Sequence, residues 1–180
     1  MSKLLRIGFN RDFYPLAHGD SEHSSGIVID IIKRALARTA YSAAFVPRSL
    51  DNLSRQFADG EIQAFAGIAI TADRRKQVTF SAPLIDSGGA WFRLRDRASS
   101  IVSAATPSAG PLVSTIKSLF PGIRVHGVSD YRAALQMAAD GEVDAAALNI
   151  HVGGHQASNY FPNRFSYPAQ PFAPLRLGVA

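Results

Sequence analysis

The stretch 67–83, GIAITADRRKQVTFSAP, holds residue types whose spacing can grip an anion. An apolar, strand-like run ends at Gly67, where a backbone can approach a ligand closely. Thr71 then stands where a hydroxyl caps a short helical turn of Ala72, Asp73, Arg74 and Arg75. The N–H groups of that turn and one guanidinium would face the same anion. A guanidinium suits a carboxylate because its planar fork matches both oxygens with parallel hydrogen bonds. A plainer reading stands beside this one. Thr71 caps the turn with no ligand present, and Arg74 and Arg75 are two solvated surface arginines.

Other chemistries are poorly served. Cysteine is absent, which excludes disulfides, thiolate metal ligands and a cysteine nucleophile. No Gly-x-Ser-x-Gly elbow marks a hydrolase. Of the glutamates, Glu61 and Glu142 follow helix-closing glycines at strand starts, away from the ends where ligands bind, so paired catalytic carboxylates are not expected. His151 and His155 have the spacing of a metal pair on a helix. Gly153 and Gly154 between them weaken a helix and no acid is near, so neither metal nor cofactor is expected. Residues 107–111 lack the lysine and spacing of a phosphate-binding loop, although their small residues can form an anion nest. The 19 basic and 14 acidic residues give a net charge of +5. The basic ones are scattered, densest at Arg93, Arg95 and Arg97, which argues against nucleic acid as a partner. No apolar run is long enough to cross a membrane, and the first residues lack a signal-peptide pattern.

Elements must position these residues. Residues 4–9 read as a buried strand. A loop with Pro15, Gly19 and Asp20 follows and ends at Gly26. Val28, Ile31, Ile32, Ala35, Leu36 and Thr39 recur at helical spacing, with Lys33, Arg34 and Arg38 on the other face. Residues 43–46 and 62–66 read as strands, and 50–58 as a helix closed by Gly60. This βαβαβ order predicts an α/β domain with a largely parallel sheet. Strands at 101–104, 123–125 and 143–148 repeat the plan. Helices separate them at 112–120 and over Tyr131, Ala134, Leu135 and Ala138, with Ser129 as the cap of the latter. FADGEIQAFAG at 57–67 and AADGEVDAAAL at 138–148 share a helix end, a glycine, an acid and an apolar strand. With the matched order of elements they predict two structurally equivalent lobes. Ligands bind beyond the carboxyl ends of strands in such sheets, here 67–71 and 148–150.

The 67–83 stretch resembles the signature of the family 3 extracellular solute-binding proteins, the amino-acid receptors of ABC importers. It shares Gly67, Thr71, Arg74, Lys76, Val78, Phe80, Ser81 and Pro83. The opening LRIGFNRDFYPL and the helix GIVIDIIKRAL are also similar to the family, so the resemblance covers nearly the whole chain. It implies a two-lobed periplasmic binding protein type II-like fold, α/β, with parallel-dominated sheets and crossover strands, closing on a ligand like a hinged clamp. Lobe one would span 1–90, a first crossover 91–97, lobe two 98–173 and a second crossover 174–180. Family members continue further, so the chain is expected to be truncated at its C-terminus and less stable for it.

The resemblance also implies a site. Arg74 would clamp a carboxylate and Gly67 would offer backbone. Phe13 or Tyr14 would place an aromatic ring near the ligand. The N–H groups of Ser108, Ala109 and Gly110 would cradle the carboxylate. Asn10 and Asn149 replace acids that usually hold the ligand's ammonium. Ala69 replaces a hydroxyl, and Ser49 replaces a covering aromatic. The carboxylate half is thus kept and the ammonium half weakened. The implied protein is a periplasmic or extracellular monomer that binds a small-molecule carboxylate or amino acid. It would deliver it to an ABC transporter permease without catalysis or direct membrane insertion. Two alternatives stand on the same fold. One is an enzyme like cyclohexadienyl or prephenate dehydratase, which would need a general acid beyond Asp12 and Asp73. The other is the ligand-sensing module of a receptor.

Overall fold

The computed structural model describes residues 3–50, 52–97 and 100–180. Its chain order is β1 (Lys3–Phe9), β2 (Asp12–Phe13), β3 (Ala17–Gly19), β4 (Ser24–Ser25), α1 (Ile27–Leu36), β5 (Tyr41–Pro47), α2 (Leu53–Ala58), β6 (Ala64–Ala66), β7 (Ile68–Ala69) and α3 (Ala72–Arg75). Then come β8 (Ile85–Leu94), β9 (Ser103–Pro107), α4 (Leu112–Leu119), β10 (Arg124–Val128), α5 (Tyr131–Ala139), β11 (Ala145–Asn149), α6 (Ile150–Tyr160), β12 (Phe165–Ser166) and β13 (Ala173–Gly178). The chain divides into two compact units, Met1–Asp86 with Leu175–Ala180, and Ser87–Pro174.

In the first unit β1 lies between β5 and β6, all parallel. Toward its carboxyl end β1 buries Ile7, Gly8 and Phe9 in succession while Arg6 stays exposed, as a central strand covered on both faces requires. Helix α1 buries Val28, Ile29 and Ile32. It has no side-chain cap because the preceding chain supplies one. The N–H groups of Ile27 and Val28 donate to the carbonyls of Pro15 and Leu16 (3.1 and 2.9 Å), satisfying donors that a helix start leaves open. Gly26 makes this approach possible. Its φ is +125°, and a Cβ there would stand 2.6 Å from the Leu16 carbonyl oxygen. The expected loop before α1 therefore contains a small antiparallel sheet, β2–β3–β4. Ile62, Phe65 and Ile68 form a second core layer with Leu53, Phe57 and Phe80. Strand β13 closes the unit by pairing with β7, Leu177 opposite Ala69. The helix expected at 50–58 begins at Leu53, and Asp51 lies outside the described residues.

The second unit has the same order: β9 lies between β10 and β11, again parallel, with β8 antiparallel beyond β11. The two DGE words adopt the same turn. Gly60 and Gly141 are left-handed, with φ of +66° and +79°. Their N–H groups donate to Phe57 and Ala138, and those of Glu61 and Glu142 to Gln56 and Met137. That is a glycine helix terminus followed by a strand, as the repeat predicted. Central β11 is built of fully buried alanines. Ala146 faces Phe92 and Leu135, and Ala147 faces Leu112 and Ile116, so small side chains let both layers pack against one strand.

Three expectations change. Helix α5 is capped by Asp130 rather than Ser129: the Asp130 Oδ1 accepts the Ala133 N–H at 2.8 Å, and Ser129 donates to the same carboxylate. Helix α6 runs through Gly153 and Gly154, where the glycines argued against a helix. Packing explains them, since a Cβ on Gly153 would lie 2.6 Å from the Phe92 ring. The passage between units falls at Asp86/Ser87, before the expected 91–97, and inside continuous strand β8. Asp86, Ser87, Gly88 and Gly89 are turn-type residues at that boundary, but here they lie within an extended strand. The expected start of lobe two at Ala98 lies outside the described residues.

Asp144 ties the start of β9 to the start of β11. Its Oδ2 accepts the N–H groups of Val102 and Ser103 (3.0 and 2.9 Å) and the Ser103 hydroxyl (2.9 Å). The Val102 N–H foremost, then the Ser103 hydroxyl, holds its carboxyl below the usual carboxylate range. A depressed folded pKa contributes stability that is present above the unfolded value and lost as pH falls through the folded one. We predict that Asp144→Ala costs about 1 kcal/mol at pH 7. The difference from wild type should shrink as pH drops below about 4. Urea melts at pH 7 and 3.5 check this, and an equal difference at both values refutes it.

Candidate functional site

Among the three parallel strands of each unit, the first in the chain is central, with the second on one side and the third on the other. That order places a switch point between the first and third strands, where open α/β sheets bind ligands at the strands' carboxyl ends. In the first unit these ends are Phe9 and Ala66, which pair directly. Asn10 and Gly67 follow them. In the second they belong to β9 and β11, so Ser108 and Asn149 stand there.

The first unit carries the guanidinium. Gly67 is buried with φ +73°, a conformation that favours glycine, and it turns the chain from β6 into β7. Thr71 is extended, and its Oγ1 accepts the Arg74 N–H at 3.3 Å, so it caps α3 as expected. The adjacent arginines separate here. Arg75 is exposed, with its guanidinium 5.7 Å from the Phe80 ring centre. Arg74 is half-buried and folds back, so that Nη1 donates to the Ala69 carbonyl at 3.1 Å. Ala69 is itself buried and offers backbone rather than a hydroxyl. Burial lowers the Arg74 pKa from the ordinary guanidinium value, though an arginine stays charged near neutrality. Among the described residues no carboxylate pairs with Arg74. A part-buried, unpaired guanidinium is costly unless an anion compensates it.

Asn10 follows β1 and is partly engaged by its own loop. Its Oδ1 takes the Asp12 N–H at 3.0 Å, which leaves the amide NH₂ and one oxygen lone pair for any ligand. Phe13 is half-buried on β2. Tyr14 is exposed, and its ring lies 4.6 Å from that of His18.

In the second unit the expected cradle is largely committed. The Ser108 N–H donates to Val128 at 2.9 Å and the Gly110 N–H to Pro107 at 3.4 Å. Of the three, only the Ala109 N–H has no acceptor among the described residues. Asn149 is committed within the second unit. Its Oδ1 accepts the His151 and Val152 N–H groups (3.0 and 3.3 Å), and its Nδ2 donates to Ser87 Oγ at 2.8 Å. It is a buried cap of α6, not a free acceptor for an ammonium. Sequence reasoning missed Thr106. It is fully buried at the end of β9, and its hydroxyl has no partner among the described residues. A lone hydroxyl in an otherwise apolar strand end was the available signal. Among the described residues no three His, Asp or Glu side chains are grouped to hold a metal, and no helix is long and apolar enough to cross a membrane.

Known proteins match this frame. The chain is 32% identical to cyclohexadienyl dehydratase of Pseudomonas aeruginosa over 89 residues. That match spans 48% of this chain and only 33% of the enzyme. The fold is similar to that of a putative ABC transporter binding component from Wolinella succinogenes complexed with lysine, at a TM-score of 0.86 and 16% identity. That comparison covers 100% of this chain and 82% of the other. It is also similar to an ancestral arginine-binding protein bound to glutamine, at a TM-score of 0.82 and 23% identity, covering 100% and 84%. These likenesses establish the type II periplasmic binding protein fold. The sequence pattern of bacterial extracellular solute-binding proteins, family 3, matches residues 5–145. Three-quarters of the chain thus follows one family's pattern on that family's fold, and the protein belongs to the family 3 extracellular solute-binding proteins.

Proposed function

We propose that the protein binds a small polar carboxylate, an amino acid or related organic acid, with Arg74 as its anion grip. Its further role would be delivery of that solute to an ABC transporter permease outside the cytoplasm. The observation that carries this reading is the half-buried Arg74 guanidinium without a carboxylate partner among the described residues. Lysine, arginine and glutamine in the names of similar folds are consistent with the ligand class.

The chemistry at the strand ends favours anions over ammonium groups. Asn10 offers its NH₂, and the Asn149 oxygen is consumed by α6. A thermal-shift panel should therefore show keto- or hydroxy-acids stabilising the protein at least as well as the matching amino acids, since bound ligand raises stability by mass action. Tight binding confined to zwitterionic amino acids would sink the anion preference. Silence across the whole panel would sink the carboxylate reading.

The dehydratase match favours a second reading, an enzyme acting on prephenate-like acids. A general acid needs a pKa raised toward neutrality. Asp73 is exposed, and its hydrogen bond from Lys76, 2.8 Å away, lowers its pKa instead. Asp12 is exposed as well. Binding without turnover is the reading we retain, and turnover of prephenate by the purified chain would reverse it.

A further inference from the structure

A cavity of about 170 Å³ opens in the second unit and shares no lining residue with the strand ends described above. Its floor is Phe92, fully buried on β8. Phe161 and Phe165 form a wall, edge to face at 5.7 Å and 88°. Tyr167 stands opposite, its ring T-shaped to Phe92 and 63% exposed. Ser158 lies at the exposed lip, in the last turns of α6.

Arg95 gives the cavity its charge. Its Nε donates to the Phe165 carbonyl at 3.1 Å, which fixes the plane of the guanidinium. Both terminal nitrogens have no partner among the described residues, and no carboxylate there lies within ion-pair distance.

We propose that this cavity is a second binding site, for a single-ring aromatic carboxylate. Volume bounds the ring count: a closed apolar cavity of about 150 Å³ takes up benzene, and this cavity, open on one side, has room for no more than one ring with its polar group toward the mouth. The rings of Phe161, Phe165 and Tyr167, over the buried Phe92, suit an aromatic guest, because aromatic pairs prefer offset and edge-to-face contact. The two terminal guanidinium nitrogens match two carboxylate oxygens. The end of α6 opposes an anion with about half an elementary charge, against the full charge of Arg95. The carboxylate therefore sits on the Arg95 side.

Titration of ¹⁵N-labelled protein with benzoate tests this. Saturable amide shifts are expected at Ser158, Asn163, Phe165 and Ser166, and they should persist unchanged in Arg74→Ala. Benzyl alcohol should bind at least ten-fold more weakly than benzoate. Arg95→Gln should weaken benzoate at least ten-fold. Ser158→Phe fills the lip without touching the charge or the buried wall, and should abolish the shifts while leaving the melting temperature as in wild type. Shifts that are absent, or confined to residues around Arg74, overturn the proposal. So does wild-type affinity in either Arg95→Gln or Ser158→Phe.

Discussion

Arg74→Ala is expected to weaken binding of the cognate carboxylate by roughly 30- to 5,000-fold, equivalent to about 2–5 kcal/mol. The range follows from what the substitution leaves behind. A ligand carboxylate drawn out of water would face the Ala69 carbonyl and the α3 N–H groups with no countercharge, and an uncompensated anion in such a place is expensive. The fold should barely notice. The helical turn keeps its Thr71 cap, because that bond uses the Arg74 backbone N–H. The Arg74 side chain gives up its hydrogen bond to the Ala69 carbonyl, and one bond of that kind is worth about 1 kcal/mol. Arg74→Lys keeps the charge but loses the two-pronged geometry, so it should fall between wild type and alanine. Arg75→Ala is the control. That residue is exposed and packs on Phe80, and its removal should change affinity less than about two-fold. Calorimetric titration of the four proteins with the best ligand from the panel decides the matter. Equal affinity in wild type and Arg74→Ala removes Arg74 from the site.

Much of this was legible because the deciding interactions are local. Gly60 and Gly141 sit in matching words, and a helix stop followed by a strand is written within five residues. Thr71 and Arg74 are three apart on one turn, so cap and guanidinium come from the same short segment. What was not legible depends on partners far along the chain. Asn149 looks like an acceptor among strand-end residues. Only the course of α6 and the position of Ser87, sixty-two residues away, consume its polar atoms. The cradle at Ser108 is committed in the same way by Val128 on the neighbouring strand. Helix α1 lacks a capping side chain because the chain around Pro15 and Leu16 folds back onto its first turn. In each case a polar group's availability is set by which strand lies beside it, and local spacing carries no record of that.

The glycines of α6 turn the same point into a measurement. Gly153→Ala should destabilise the protein by about 1–2 kcal/mol, although alanine is the better helix former by about 1 kcal/mol. Its Cβ would stand 2.6 Å from Phe92 Cε2 and 2.8 Å from Leu148 Cβ. Phe92 is fully buried, and Leu148 Cβ is fixed to the backbone of β11. Neither can yield without moving helix or strand, and overpacking of this kind costs about 1–3 kcal/mol, with the upper end expected where backbone must move. Gly154→Ala should behave oppositely. The atoms nearest its Cβ would be the ring and hydroxyl of Tyr167, which is 63% exposed and free to swing outward. Helix propensity then dominates, and the variant should match wild type or gain up to about 1 kcal/mol. Urea denaturation of the two variants compares adjacent positions in one helix with the same chemical change. The double variant Gly153→Ala with Phe92→Leu removes ring atoms that the new methyl would strike. Its destabilisation should be smaller than the sum of the two single effects, since the energies of touching residues do not add. If Gly153→Ala is as stable as Gly154→Ala, close approach to Phe92 is not what keeps a glycine at 153, and the packing account of α6 fails.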